Sequence, residues 1–219
     1  MEQAVEGAEV SPPDPTGTGA GVLSAALKLL ALHGEAGIRV SGVADLAGVS
    51  VGTIYTHFES RDGLIEACFA AQYRNHTGDD LMPLHRVMGE NCSRDDIVTS
   101  LRDSARLDAA DDPELLQLAA SRLSRAEAVG ASRRRPGLAR EIELENSRIR
   151  DIEVLAARQG QELGLLNPNL DPEALVTLVQ VFLFGLALVD SSNLVDSLQS
   201  EWERVVNDFA QTFLSDPAP

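Results

Sequence analysis

Eleven residues, Gly48 to Phe58 (GVSVGTIYTHF), gather most of the side chains in the N-terminal part of this 219-residue chain that could grip a polar ligand. Ser50, Thr53, Tyr55, Thr56 and His57 bring hydroxyl and imidazole groups, and Arg61 follows at once in ESRDGL. Groups of these kinds reach phosphate oxygens, while Val51 offers only an apolar contact, for instance to a thymine methyl. Catalysis fits poorly. His33, His57, His76 and His85 lack a metal-ligand spacing such as HExxH, and no serine or cysteine stands in a nucleophile motif. No enzyme activity, metal or cofactor is expected.

Short helices must position these groups. A first helix is marked by Val22, Leu23, Ala26, Leu27 and Leu30, at spacings of three and four, and stops at Gly34. A short helix over Val40 to Leu46 turns inward through Val43 and Ala44. The turn AGVS then leads to another, with Ser50 as its N-cap. Ser60 caps a longer helix carrying Leu64, Ile65, Cys68 and Phe69 on one side. Two short helices around a tight glycine turn are the helix-turn-helix plan, whose second helix enters the major groove of DNA. Small residues (Ala44, Ala47, Gly48) suit that turn, and Val43, Ala47, Ile54 and Phe58 are candidate core. Gly52 costs about 1 kcal/mol against alanine inside a helix, which makes sense if a neighbouring helix or a DNA backbone must come very near.

The remainder also reads as helix, with no strand pattern. Ser93 and Asp96 form a capping-box start; Asp112-Pro113-Glu114 and Asp171-Pro172-Glu173 are two further helix starts; Gly164 and Asn167-Pro168-Asn169 are breaks. Ala174 to Val189 is apolar nearly all round but, at 16 residues, reads as a buried helix too short for a bilayer. A last helix shows Leu194, Leu198, Trp202, Val205, Phe209 and Phe213 on one stripe. Cys68 and Cys92 form no CxxC pair and read as small buried side chains in a reducing cytosol. Residues 1–19, with acids, prolines and no apolar period, are expected to be a disordered leader, not a secretory signal. The protein is expected to be soluble and cytoplasmic. Its formal charge of −16 is uneven: Gly19 to Asn75 has five acids against four bases, so most negative charge lies further along.

LSAALKLLALHG followed by VSGVADLAGVSVGTIYTHFESRDGLIEA resembles the N-terminal domain of TetR-family transcriptional repressors, over about Val22 to Ala67. The resemblance implies an all-α chain: a three-helix head at 20–66, then a ligand-binding and dimerisation domain at 67–219. It implies a homodimer that binds a palindromic operator and is released by a small-molecule effector. Val51, Thr53 and Thr56 would read bases, Tyr55, His57 and Arg61 would hold phosphates, and Ser50 and Gly52 lie at the same helix start. Arg39, where the family usually has Ser or Thr, and Ser41 open the preceding helix and join the candidate contacts. The chain departs from the family in carrying no base from Gly17 to Ala26. The rival reading is therefore a family member with a weakened head, acting as a protein-interaction or ligand-sensing module.

For the effector, candidate wall residues are Phe69, Tyr73, Leu84, Met88, Leu101, Leu115 and Leu118, and the scarcity of aromatics suggests an aliphatic or lipid-like compound. Arg102, Arg106, Arg122 and Arg125 could recognise an acid group but read more simply as surface arginines. The dimer interface is expected to use Leu175, Leu178, Val179, Phe182 and Leu186 with Leu198, Trp202, Val205 and Phe209.

Overall fold

The structure, a computed structural model, describes residues 17–87, 92–106, 112–190 and 198–214, apart from the side chains of 76–87, 114, 115, 190 and 199. Among these residues it is all-helical, with one isolated antiparallel bridge between Leu166 and Leu214. The chain divides into two compact units, residues 1–68 and 69–219.

The first unit holds α1 (Thr18–His33), a 3₁₀ turn (Glu35–Gly37), α2 (Val40–Ala47), α3 (Val51–Phe58) and the start of α4 (Arg61–Val87). α1 begins at Thr18 and already buries Gly19, so order starts inside the expected leader; residues 1–16 lie outside the described residues. Val22, Ala26, Val43, Ile54, Leu64 and Ile65 bury almost completely, because the three-and-four spacing places one face of each helix inward. Ala47, expected in this core, is only half-buried. Gly48 ends α2 at φ 68° and ψ 33°, a left-handed conformation that costs an L side chain a steric clash. The corner between α3 and α4 is tighter still. Glu59 takes φ 61°, Ser60 N–H donates to the Phe58 carbonyl at 2.6 Å, and Ser60 Oγ caps α4 by accepting from Gly63 N–H at 2.9 Å.

The second unit continues α4 and adds α5 (Arg94–Ser104), α6 (Pro113–Ser132), α7 (Pro136–Glu162), α8 (Pro172–Asp190) and α9 (Gln199–Gln211). Two of the caps read from sequence form, at Ser93 and at Asp171. Ser93 and Asp96 make a reciprocal box, which holds the Asp96 carboxyl below its ordinary range through the Ser93 hydroxyl and N–H. Asp171 Oδ1 accepts from Ala174 N–H at 2.8 Å. One core joins Ile97, Val98, Ala157, Leu175, Val176 and Phe213; a smaller one joins Ala105, Leu186 and Val206. Cys68 is buried, its thiol pushed up to about 12, whereas Cys92 is only half-buried at the start of α5.

α8 corrects the sequence reading twice. It runs 19 residues, and its segment Pro172–Val189 is long and apolar enough to cross a membrane by length and composition alone. It is also far from enclosed, since only 22% of that segment is buried within the chain. One side packs on α6 and α7; Leu178, Val181 and Leu188 stand 47%, 64% and 80% exposed on the other.

Gly63 is the position where the head leaves no room for a side chain: an added Cβ would sit 2.2 Å from the Phe58 carbonyl oxygen. Gly63→Ala is expected to cost about 1–3 kcal/mol of stability in urea unfolding, as overpacking does. Gly42→Ala, where nothing lies within 4 Å, should cost nothing.

Candidate nucleic-acid interface

α3 is presented by its own buried side. Ile54 and Phe58, four residues apart, are 0% and 6% exposed and fasten the helix to α1 and α2; each such burial is worth about 1.5–3 kcal/mol. The opposite face is left to solvent: Val51, Gly52, Tyr55, Thr56 and His57 are all exposed, with Thr53 half-buried beside them.

The helix start is built by Ser50, whose Oγ accepts from Thr53 N–H at 3.1 Å, a cap worth about 1 kcal/mol. The Ser50 and Thr53 hydroxyls also bond each other at 2.8 Å, and the Thr56 hydroxyl donates to the Gly52 carbonyl at 3.0 Å. These local bonds orient the two threonines. The Thr53 N–H is taken by Ser50, while those of Val51 and Gly52 precede any carbonyl the helix could offer them, so this end of α3 carries partial positive charge.

At Gly52 an added Cβ would meet only Ser50 Oγ, at 3.6 Å, an ordinary contact. Among the described residues, no neighbouring helix comes close enough there to require a glycine.

Arg39 is the N-cap residue of α2, with no capping bond from its side chain; it and Ser41 are exposed. Arg61 behaves differently. Its Nε donates to the Ile38 carbonyl at 2.8 Å and its Nη2 to the Glu35 carbonyl at 2.9 Å, with Nη1 4.0 Å from Asp62. Spacing along the chain gave no hint of these bonds, which span 23 and 26 residues.

The candidates in the second unit are scattered. Phe69 and Tyr73 are buried: Arg135 lies over the first ring at 5.9 Å and Arg125 over the second at 5.5 Å, while the Tyr73 hydroxyl donates to Asn146 at 2.6 Å. Arg125 also lies 5.8 Å from the Phe184 ring. Arg122, read as a surface residue, is 3% exposed and donates to the Ser104 carbonyl. Leu101 and Leu118 are half-buried; Met88 and the side chains of Leu84 and Leu115 lie outside the described residues.

Of the expected interface residues, Leu175 and Leu186 are buried in the unit's own core, whereas Leu178, Leu198 and Val205 are exposed. Val179, Phe182, Trp202 and Phe209 are half-buried. Phe182 packs on both Trp202 and Phe209 at 6.1 and 5.0 Å, and the Trp202 indole N–H donates to the Ala105 carbonyl at 2.6 Å. Val181 and Leu188 extend the exposed apolar stripe of α8.

Residues 22–68 match the model of bacterial regulatory proteins, tetR family. No curated protein is similar to the chain in sequence. Among solved structures, a TetR-family transcriptional regulator of Cytophaga hutchinsonii superposes with a TM-score of 0.66 at 13% identity, covering 91% of this chain and 96% of that one. A TetR transcriptional regulator of Chloroflexus aurantiacus gives 0.62 at 19%, covering 91% and 97%. A transcriptional regulator of Saccharomonospora viridis in complex with choline gives 0.62 at 19%, covering 90% and 97%. Residues 22–68 thus resemble the helix-turn-helix domain of the tetR family in sequence, and the chain shares the fold of these regulators along nearly all of its length.

Proposed function

We propose that the chain is a ligand-released repressor, which binds a palindromic operator as a homodimer. The observation that carries this reading is the outer face of α3, where Val51, Tyr55, Thr56 and His57 stand exposed around Gly52, at which an added Cβ would meet no described atom nearer than Ser50 Oγ at 3.6 Å. A phosphate backbone close against the start of α3 would use that space, with first-turn N–H groups, Ser50 and Thr53 around it. Tyr55 and His57 then hold flanking phosphates, Val51, Thr53 and Thr56 face bases, and Arg39 and Ser41 add contacts from α2.

Dimerisation through α8 and α9 is supported by the exposed stripe of Leu178, Val181 and Leu188, with Val205 on α9. A helix this apolar gains most by burying its second face against a copy of itself. The effector would sit in the second unit, among residues such as Leu101 and Leu118. It would act as a population shift, favouring a state whose heads no longer match two half-sites about 34–36 Å apart. The choline complex of the similar Saccharomonospora regulator supports a small molecule; we keep an aliphatic or lipid-like compound as the class for this chain.

Selection on random duplex DNA is expected to recover a palindrome with the wild-type protein and none with Tyr55→Ala. A folded wild-type dimer that enriches nothing would favour the interaction or sensing module, a reading that the base-free stretch Gly17 to Ala26 supports. Lys28, Arg39 and Arg61 are the lysines and arginines of the head, so the log–log salt slope of a dimer should be no steeper than about −5. Gly52→Ala should raise thermal stability, by up to about 1 kcal/mol, while weakening operator binding. A loss of stability instead would show that the glycine serves the fold. Val181→Glu with Leu188→Glu should turn the dimer into a monomer at micromolar concentration in sedimentation, and a wild-type monomer there would sink the dimer.

A further inference from the structure

The two tight connections of the head lie at the two ends of one side chain. Between α1 and α2, an added Cβ on Gly37 would fall 2.2 Å from His33 Cβ, so the 3₁₀ turn presses directly on the end of α1. Between α3 and α4, Glu59 sits at φ 61° and ψ −42°, where an L residue is strained, and Gly63 abuts the Phe58 carbonyl. Such backbone persists only where the surroundings over-determine it. Arg61, at the start of α4, donates to the carbonyls of Glu35 and Ile38, in and just after the 3₁₀ turn. Ile38 is fully buried, and Arg39 next to it occupies the N-cap position of α2. A planar guanidinium holds two carbonyls at once and with direction, which an ammonium cannot do.

We propose that Arg61 is a positioning residue for DNA reading: its fork sets the entry of α2 and the corner leaving α3, and so the angle at which α3 is offered, without itself holding a phosphate. This rests on the DNA-binding reading above. Two donors of the guanidinium point into the head, and the third nitrogen lies toward Asp62, whose charge opposes an incoming phosphate. The family's cation at the start of this helix has here become an internal tie.

The test uses the full-length protein, the duplex that it selects, and random-sequence duplex of equal length, each titrated through a salt series. Arg61→Lys keeps the charge and loses the fork; Arg61→Gln loses both. Both variants are expected to weaken binding of the selected duplex about tenfold, leaving random-duplex affinity and the salt slope within error. A slope that falls by about 0.9 per head in Arg61→Gln, with Arg61→Lys restoring slope and affinity, would make Arg61 a phosphate contact and overturn the proposal. So would wild-type operator affinity in both variants at a temperature where circular dichroism shows them folded, since the tie would then serve stability alone. Should Arg61→Gln not fold, Arg61→Lys decides by itself: wild-type affinity overturns the proposal, selective loss of operator binding with an unchanged slope supports it. A wild-type protein that selects no duplex overturns the DNA-binding reading, and the positioning role with it.

Discussion

The corner between α3 and α4 is the constraint on which the head depends. Within six residues it holds a left-handed Glu59, a 2.6 Å bond from Ser60 to the Phe58 carbonyl, and a glycine that no other residue can replace without a clash. The corner leaves Phe58 inward while Tyr55 and Thr56, a turn earlier, face out. A looser corner would let α3 rotate about its axis, and a rotation of one residue, about 100°, would bring part of the exposed face against the core. Arg61 ties this corner to the connection between α1 and α2, where Gly37 presses on His33.

Electrostatics gives the head a different character from most of the chain. Acids and bases nearly balance from Gly19 to Asn75, while the bulk of the −16 charge lies elsewhere. The head can therefore approach a polyanion without strong repulsion, but it has few cations with which to release counterions. In the proposed complex its contacts depend on shape and hydrogen bonding, through hydroxyls and helix-start N–H groups. That places a premium on geometry. A strained corner and a stapled arginine supply geometry, whereas a flexible lysine would supply charge.

The second unit carries a parallel lesson in α8. Enclosure on all sides was the natural inference from a helix apolar all round, yet one side packs on α6 and α7 and the other carries Leu188 at 80% exposure. Phe182 packs on Trp202 and Phe209, so α8 and α9 present a common aromatic seam. The indole of Trp202 and the guanidinium of Arg122 meet the last carbonyls of α5, at Ala105 and Ser104, where a helix end lacks partners of its own. Arg122 is buried there, whereas Arg125, on the same helix, lies over the Tyr73 and Phe184 rings, and Arg102 and Arg106 lie near Asp103 and Asp112.

The helices, the Gly48 turn, the Ser50 and Ser60 caps, the Ser93–Asp96 box and the alternation of Ile54 and Phe58 with Tyr55 and Thr56 were all legible in the sequence. Each depends on residues within about four positions of one another, the range over which helix periodicity and capping act. What only the tertiary structure decided were facts between distant residues or about empty space. The bonds of Arg61 to Glu35 and Ile38 join positions more than twenty residues apart, and the open space around Gly52 among the described residues depends on how the helices pack. Leu175 and Leu186 could not be told from Leu178 and Leu188 by composition, because a helix apolar on every face does not record which side its own chain will cover.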